Sequence, residues 1–147
     1  MNLTFIGMPA SGKTTYGREV AKFLKFKFID IDQEIENKFK LKLPEIIERI
    51  GEKNFLKEEE KAVLGLKKIN YSIISPGGSV IYSKKAMKFL KKISLIVFLK
   101  TPFKLLKRRI ENPLKRGIIG SRNKSLKEIC KKRLPLYKKY ADIILEI

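Results

Sequence analysis

Apolar positions recur along this chain in two periods. Short apolar runs at residues 2–6, 27–30, 71–75, 95–99 and 141–145 read as five strands, and helically spaced stretches lie between them. The spacing predicts helices over 14–24, 44–51, 54–68 and 84–92, with Pro102 opening another as an N1 proline. Over 54–68, Phe55, Ala62, Val63 and Leu66 supply the apolar face, and Glu58, Glu59 and Glu60 read largely as a solvated turn. Residues 111–123 carry Pro113, Gly117 and Gly120 with little periodicity, the pattern of a long mobile loop. Residues 125–140 start as a helix that Pro135 is expected to interrupt. Strands alternating with helices imply one three-layer α/β domain over 1–147, built on a five-stranded parallel sheet.

The junction of the first strand and first helix carries the chemistry. Residues 7–14 read Gly-Met-Pro-Ala-Ser-Gly-Lys-Thr, a G-x-x-x-x-G-K-[ST] octet in the strand–loop–helix context of a P-loop NTPase. Gly7 and Gly12 allow the backbone to curl so that N–H groups of Ala10, Ser11 and their neighbours face phosphate oxygens. The following helix, entered through Thr15, adds its positive end. Lys13 reaches the β- and γ-phosphates as a point charge, and the Thr14 hydroxyl suits Mg²⁺.

Composition narrows the surroundings. At 147 residues and 44% hydrophobic the chain is an ordinary globular domain, with no apolar run long enough to span a membrane. A strand beginning at Asn2 leaves no room for a signal peptide, and the single Cys130 fits a reducing, cytoplasmic setting; it reads as a small, partly buried helix residue. The net charge of +19 is uneven, with +1 over residues 1–61 and +18 over residues 62–147. Of the 34 cations 27 are lysines, spread over several helices without interleaved aromatics, so a solvated basic surface is expected rather than a nucleic-acid partner. A monomer acting on a small molecule is the corresponding expectation.

In an open parallel sheet, ligands bind beyond the carboxyl ends of the strands. Asp30 and Asp32 close the second strand, and Gly77 and Gly78 follow the third, so all four are expected to border the octet. With no His in the chain, a carboxylate is the natural group to accept a proton from an attacking hydroxyl, and another can hold a metal-bound water. Asp32 is also suited to N-cap a helix, with Glu34 and Glu36 as first-turn acids. The paired glycines suit either a plain turn or a ligand lying against bare backbone.

In order along nearly the whole chain, these residues resemble the shikimate kinase family of small P-loop kinases. The octet resembles that family's P-loop, and Phe28-Ile-Asp30-Ile-Asp32 with Ile35-Glu36 its F-x-D-x-D-x-x-I-E. Gly51-Glu52-Lys-Asn-Phe55 with Glu59 resembles G-E-x-x-F-R-x-x-E, and Arg133-Leu-Pro135-Leu-Tyr137 with Ala141 resembles R-x-P-x-Y-x-x-x-A. The resemblance implies transfer of the γ-phosphoryl of ATP to an alcohol, with Mg²⁺, and shikimate as acceptor. It implies Thr14 and Asp30 at the metal, Asp32 activating the hydroxyl, Gly77 and Gly78 against substrate, and Arg133 gripping a carboxylate. Residues 111–123 would form the lid, with Arg109 and Arg116 matching the spacing of two ATP-binding lid arginines and Arg116 stabilising the transferred phosphoryl.

Three positions depart from the pattern. Leu56 stands where the family has a substrate-binding arginine, Pro76-Gly77-Gly78-Ser79 replaces T-G-G-G, and the sequence ends at Ile147 without the family's closing helix. Loss of a charge-assisted contact weakens acceptor binding by roughly 1.5–3 kcal/mol. The alternatives are a kinase for another hydroxylated metabolite or a nucleotide, or an ATP-binding regulatory or nucleic-acid-binding protein. The D-x-D pair holds hydroxyls better than the phosphate of a nucleotide acceptor.

Overall fold

The computed structural model describes the backbone of residues 1–147 and every side chain except those of residues 113 and 114. The sheet is five-stranded and wholly parallel: β1 (Asn2–Ile6), β2 (Lys27–Asp30), β3 (Ser72–Ser75), β4 (Leu95–Lys100) and β5 (Ile143–Glu146) lie in the order β2-β3-β1-β4-β5. β1 sits between β3 and β4 and is in register with both, Thr4 facing Ile74 on one side and Ile96 on the other. The inner strands are apolar because helices cover both faces; β3 is buried at all four residues.

On one face, α1 (Lys13–Leu24) packs through Ala21 over Phe5, Ile73, Val97 and Leu99. The other face carries the larger core under α2 (Ile31–Phe39), α3 (Leu43–Ile50), α4 (Glu52–Leu64), α5 (Lys84–Ile93) and α8 (Leu126–Tyr140). Two short helices, α6 (Phe103–Arg109) and α7 (Pro113–Arg116), lead from β4 toward α8. This winding brings the loops after β1, β2, β3 and β4 to one edge of the sheet. No helix among the described residues is long and apolar enough to cross a membrane.

Several local expectations are corrected. Pro102 is the N-cap of α6 rather than N1, because its ψ of 142° is extended. Asp30, not Asp32, caps α2 by accepting the Gln33 N–H at 3.1 Å; Asp32 falls in the first turn. The loop at 111–123 contains the short helix α7, and residues 78–82 form a 3-10 turn that the pattern did not announce. The side chain of Pro113 lies outside the described residues. Glu59 is 2% exposed rather than solvated, since it shares the inner face of α4 with Phe55 and Val63 at four-residue spacing.

Pro135 does not interrupt α8, which runs through it to Tyr140. Leu126, Ile129, Arg133 and Tyr137 bury one stripe of the helix, whereas Pro135 and Lys131, whose carbonyl loses its donor, are exposed to water. Tertiary burial and solvation together outweigh one missing hydrogen bond. Pro135→Ala is therefore expected to stabilise the protein by about 1–3 kcal/mol, read as a rise in melting temperature of several degrees.

Candidate active site

The octet forms the loop between β1 and α1. Gly12 enters α1 at φ 103°, a conformation that strains any residue with a Cβ, and Ala10 is left-handed at φ 64°. Neighbouring elements brace the loop from outside. Thr101 donates to the Ser11 carbonyl at 2.9 Å, and Arg109 Nη1 donates to the Ala10 carbonyl at 2.8 Å. Lys13 folds back over the loop, its Nζ donating to the carbonyls of Gly7 at 2.9 Å and Met8 at 3.0 Å. Burial lowers its pKa to about 8, against the opposing pull of Asp32. The buried Ser11 hydroxyl finds no partner. A curled loop with a desolvated ammonium is a site built for an anion with several oxygens.

The octet opens into a cleft of about 640 Å³, within the usual range for small-molecule sites. Ala10, Gly12, Lys13, Thr14 and Thr15 line it from the loop and α1, and Asp30 and Asp32 from the end of β2. Gly77 and Gly78 line it after β3, Arg109 and Arg116 from the lid side, and Arg133 from α8. Gly7 and Ser11 lie beneath the surface and shape the loop rather than the cleft wall. Phe55, Ser79, Lys42 and Lys115 also line the cleft, and Leu56 does not.

Asp32 is the most perturbed acid on the cleft wall. Burial raises its pKa to about 6; Lys13 works against that shift, and Asp30 and Glu36 add to it. A carboxylate in that range is ionised at neutral pH and still basic enough to take a proton. Asp30 spends Oδ1 on the cap of α2, which leaves Oδ2 to orient water. No cluster of three metal-ligating acids, His or Cys occurs among the described residues. One Thr hydroxyl and one carboxylate fit Mg²⁺, which keeps several waters and takes its remaining ligands from phosphate oxygens.

Arg133 also lines the cleft, 1% exposed and reached from α8. Nη2 donates to the Ile119 carbonyl at 2.7 Å, Nη1 donates to Tyr137 Oη at 3.4 Å, and the guanidinium lies over the Tyr82 ring at 5.3 Å. Tyr137 Oη in turn donates to the Gly78 carbonyl at 2.7 Å. A Cβ on Gly78 would come within 3.0 Å of Arg133 Nη1, so bare backbone is what leaves the guanidinium room. Arg133 Nε has no partner within the protein. Arg109 reaches the octet at Ala10, Arg116 lines the same cleft, and the segment after it rests on α3, Gly117 lying against Pro44.

The residue that sequence reasoning left out of the site is Glu59. It lies directly behind Gly77, with Ser79 donating to its Oε1 at 2.9 Å. The four-residue spacing from Phe55 to Glu59 to Val63, and the match of Glu59 to the family's G-E-x-x-F-R-x-x-E, are the signals that point to it.

A protein-family model described as shikimate kinase matches residues 9–147. A shikimate kinase of Clostridium botulinum (strain ATCC 19397 / Type A) is 38% identical over 146 residues, covering 97% of this chain and 86% of the relative. One from Dictyoglomus turgidum is 33% identical over 150 residues, covering 99% and 87%. Among solved structures, shikimate kinase from Acinetobacter baumannii in complex with shikimate superposes with a TM-score of 0.85 at 30% identity, covering 99% of this chain and 83% of that one. The enzyme from Aquifex aeolicus gives 0.83 at 30% identity, covering 99% and 86%.

Proposed function

The chain belongs to the shikimate kinase family, and from that premise we propose that it transfers the γ-phosphoryl of ATP to a hydroxyl of shikimate, giving shikimate 3-phosphate and ADP. The observation that carries this reading is a cleft that gathers three complementary groups. An anion-shaped loop with Lys13, a buried guanidinium at Arg133 and the carboxylate of Asp32 all line it. ATP bears the phosphate oxygens for the loop, and a hydroxy acid bears a carboxylate for the guanidinium and a hydroxyl for Asp32.

In this mechanism the acceptor carboxylate pairs with Arg133 and its hydroxyl faces Asp32. The hydroxyl oxygen attacks the γ-phosphorus as its proton passes to Asp32, and the bond from phosphorus to the β,γ-bridging oxygen breaks. Lys13 and the loop amides hold the phosphate oxygens, and Arg116 answers the charge that spreads over the transferred group. Thr14 and Asp30 would hold Mg²⁺, which neutralises phosphate charge when bound. The lid over residues 111–123 keeps water from competing with the acceptor.

ADP release tests the reading across shikimate, homoserine, sugar acids and nucleoside monophosphates. Saturable turnover with shikimate alone is expected; turnover of another compound with none for shikimate overturns the acceptor. Asp32→Asn is expected to lower kcat by about 10²–10⁴-fold with ATP affinity retained, checked by steady-state kinetics and nucleotide titration. Leu56→Arg, which restores the family's residue, is expected to lower KM for shikimate by up to about 100-fold, since a charge-assisted contact is gained.

A further inference from the structure

Glu59 carries a burden that the reaction above does not use. Its carboxyl is 2% exposed and sits on the inner face of α4. One oxygen accepts from Ser79, and Oε2 has no hydrogen-bond partner. A Cβ on Gly77 would stand 2.3 Å from Glu59 Oε2 and 2.6 Å from Asp32 Oδ1. The two carboxyl groups therefore crowd the same bare Cα, those two oxygens lying within about 5 Å of each other.

The ion pairs among the described residues all lie at the surface, and Glu59 takes part in none of them. One turn before it on α4 is Leu56, an apolar residue, so its own helix offers no cation there. The groups facing it from other elements are Lys13 on α1, Asp32 on α2, Ser79 on the 3-10 turn and Arg133 on α8. An ionised carboxylate in this place would be buried, half-satisfied and beside a second anion.

We propose that Glu59 is a positioning residue of the acceptor subsite that works as a neutral acid. Ser79 fixes one of its oxygens, and the other props the backbone at Gly77 against the carboxylate of Asp32. The inference rests on the acceptor subsite being the one described above. Ser79 and Leu56 then belong together: the serine supplies a neutral donor to an acid that no helix neighbour charges. Burial first, then the charge of Asp32, pushes the Glu59 pKa up to about 8, while Ser79 and the cations Arg133 and Lys13 restrain it.

The sign of the linkage is fixed by that direction. Glu59 binds its proton more tightly folded than unfolded, so its contribution to stability is full in acid and is lost as pH rises toward about 8. Glu59→Gln keeps the shape and cannot ionise. In the full-length chain its melting temperature, relative to the parent, is expected to rise by several degrees between about pH 5 and about pH 8. An offset that stays constant over that range overturns the inference, and this measurement needs no acceptor. With ATP saturating and shikimate varied, kcat/KM of Glu59→Gln at neutral pH should stay within about threefold of the parent and lose the decline centred near pH 8. A folded Glu59→Gln protein with activity down by about 100-fold or more shows that the charge is required and also overturns it. Ser79→Ala removes the bond that restrains the pKa and is expected to move the decline to higher pH; an unmoved decline counts against the role. Absence of shikimate turnover in the parent would fall on the acceptor assignment and leave the melting comparison standing.

Discussion

The burial of one guanidinium organises this molecule. Arg133 is removed from water on the side of α8, where an unsupported charge would cost several kcal/mol. Its supports come from the lid carbonyl of Ile119, the hydroxyl of Tyr137 and the ring of Tyr82. Tyr137 then reaches the Gly78 carbonyl and stacks on Phe98 of β4 at 5.0 Å. A single side chain thereby ties the last helix to the lid and to the backbone at Gly78. Pro135 survives inside α8 because both neighbours in that stripe, Arg133 and Tyr137, are anchored.

What could be read from sequence was what is local or periodic. The octet defines its own turn through Gly7, Gly12 and Lys13, and the strand runs are apolar because both sheet faces are covered. Asp30, Asp32, Gly77 and Gly78 were found by topology, since strand ends meet at one edge whatever the loops do. What escaped depends on three-dimensional context. Glu59 reads by composition as one of three surface acids, and its helical phase and its place in the family pattern separate it from Glu58, which pairs with Lys38 at the surface. The 3-10 turn after Gly77 and the helix within the lid are too short to leave a period. The local rule against proline in a helix fails at Pro135 because the carbonyl it frees, on Lys131, is exposed to water.

Charge is sorted by depth as well as along the chain. The lysines that make the second half basic are mostly solvated, whereas the cleft concentrates Lys13, Lys42, Arg109, Lys115, Arg116 and Arg133 around three acids, Asp30, Asp32 and Glu36. Such a field attracts a polyanion before any specific contact forms and weakens with salt. The more buried groups of the cleft, Arg133 and Asp32, differ in sign and position. Leu56 lies off the cleft wall, so its replacement of arginine alters the pocket by withdrawing a charge and leaves the wall unblocked.

The folded-back Lys13 has its own consequence. With its ammonium on the Gly7 and Met8 carbonyls, Lys13 braces the curl of the loop from within. Nucleotide entry is then a trade of hydrogen bonds, in which the lysine releases two backbone oxygens and takes up phosphate oxygens, while the loop itself need not fold. Little chain entropy is lost on binding, so the affinity spent on ordering is small and more of it is retained for closing the lid.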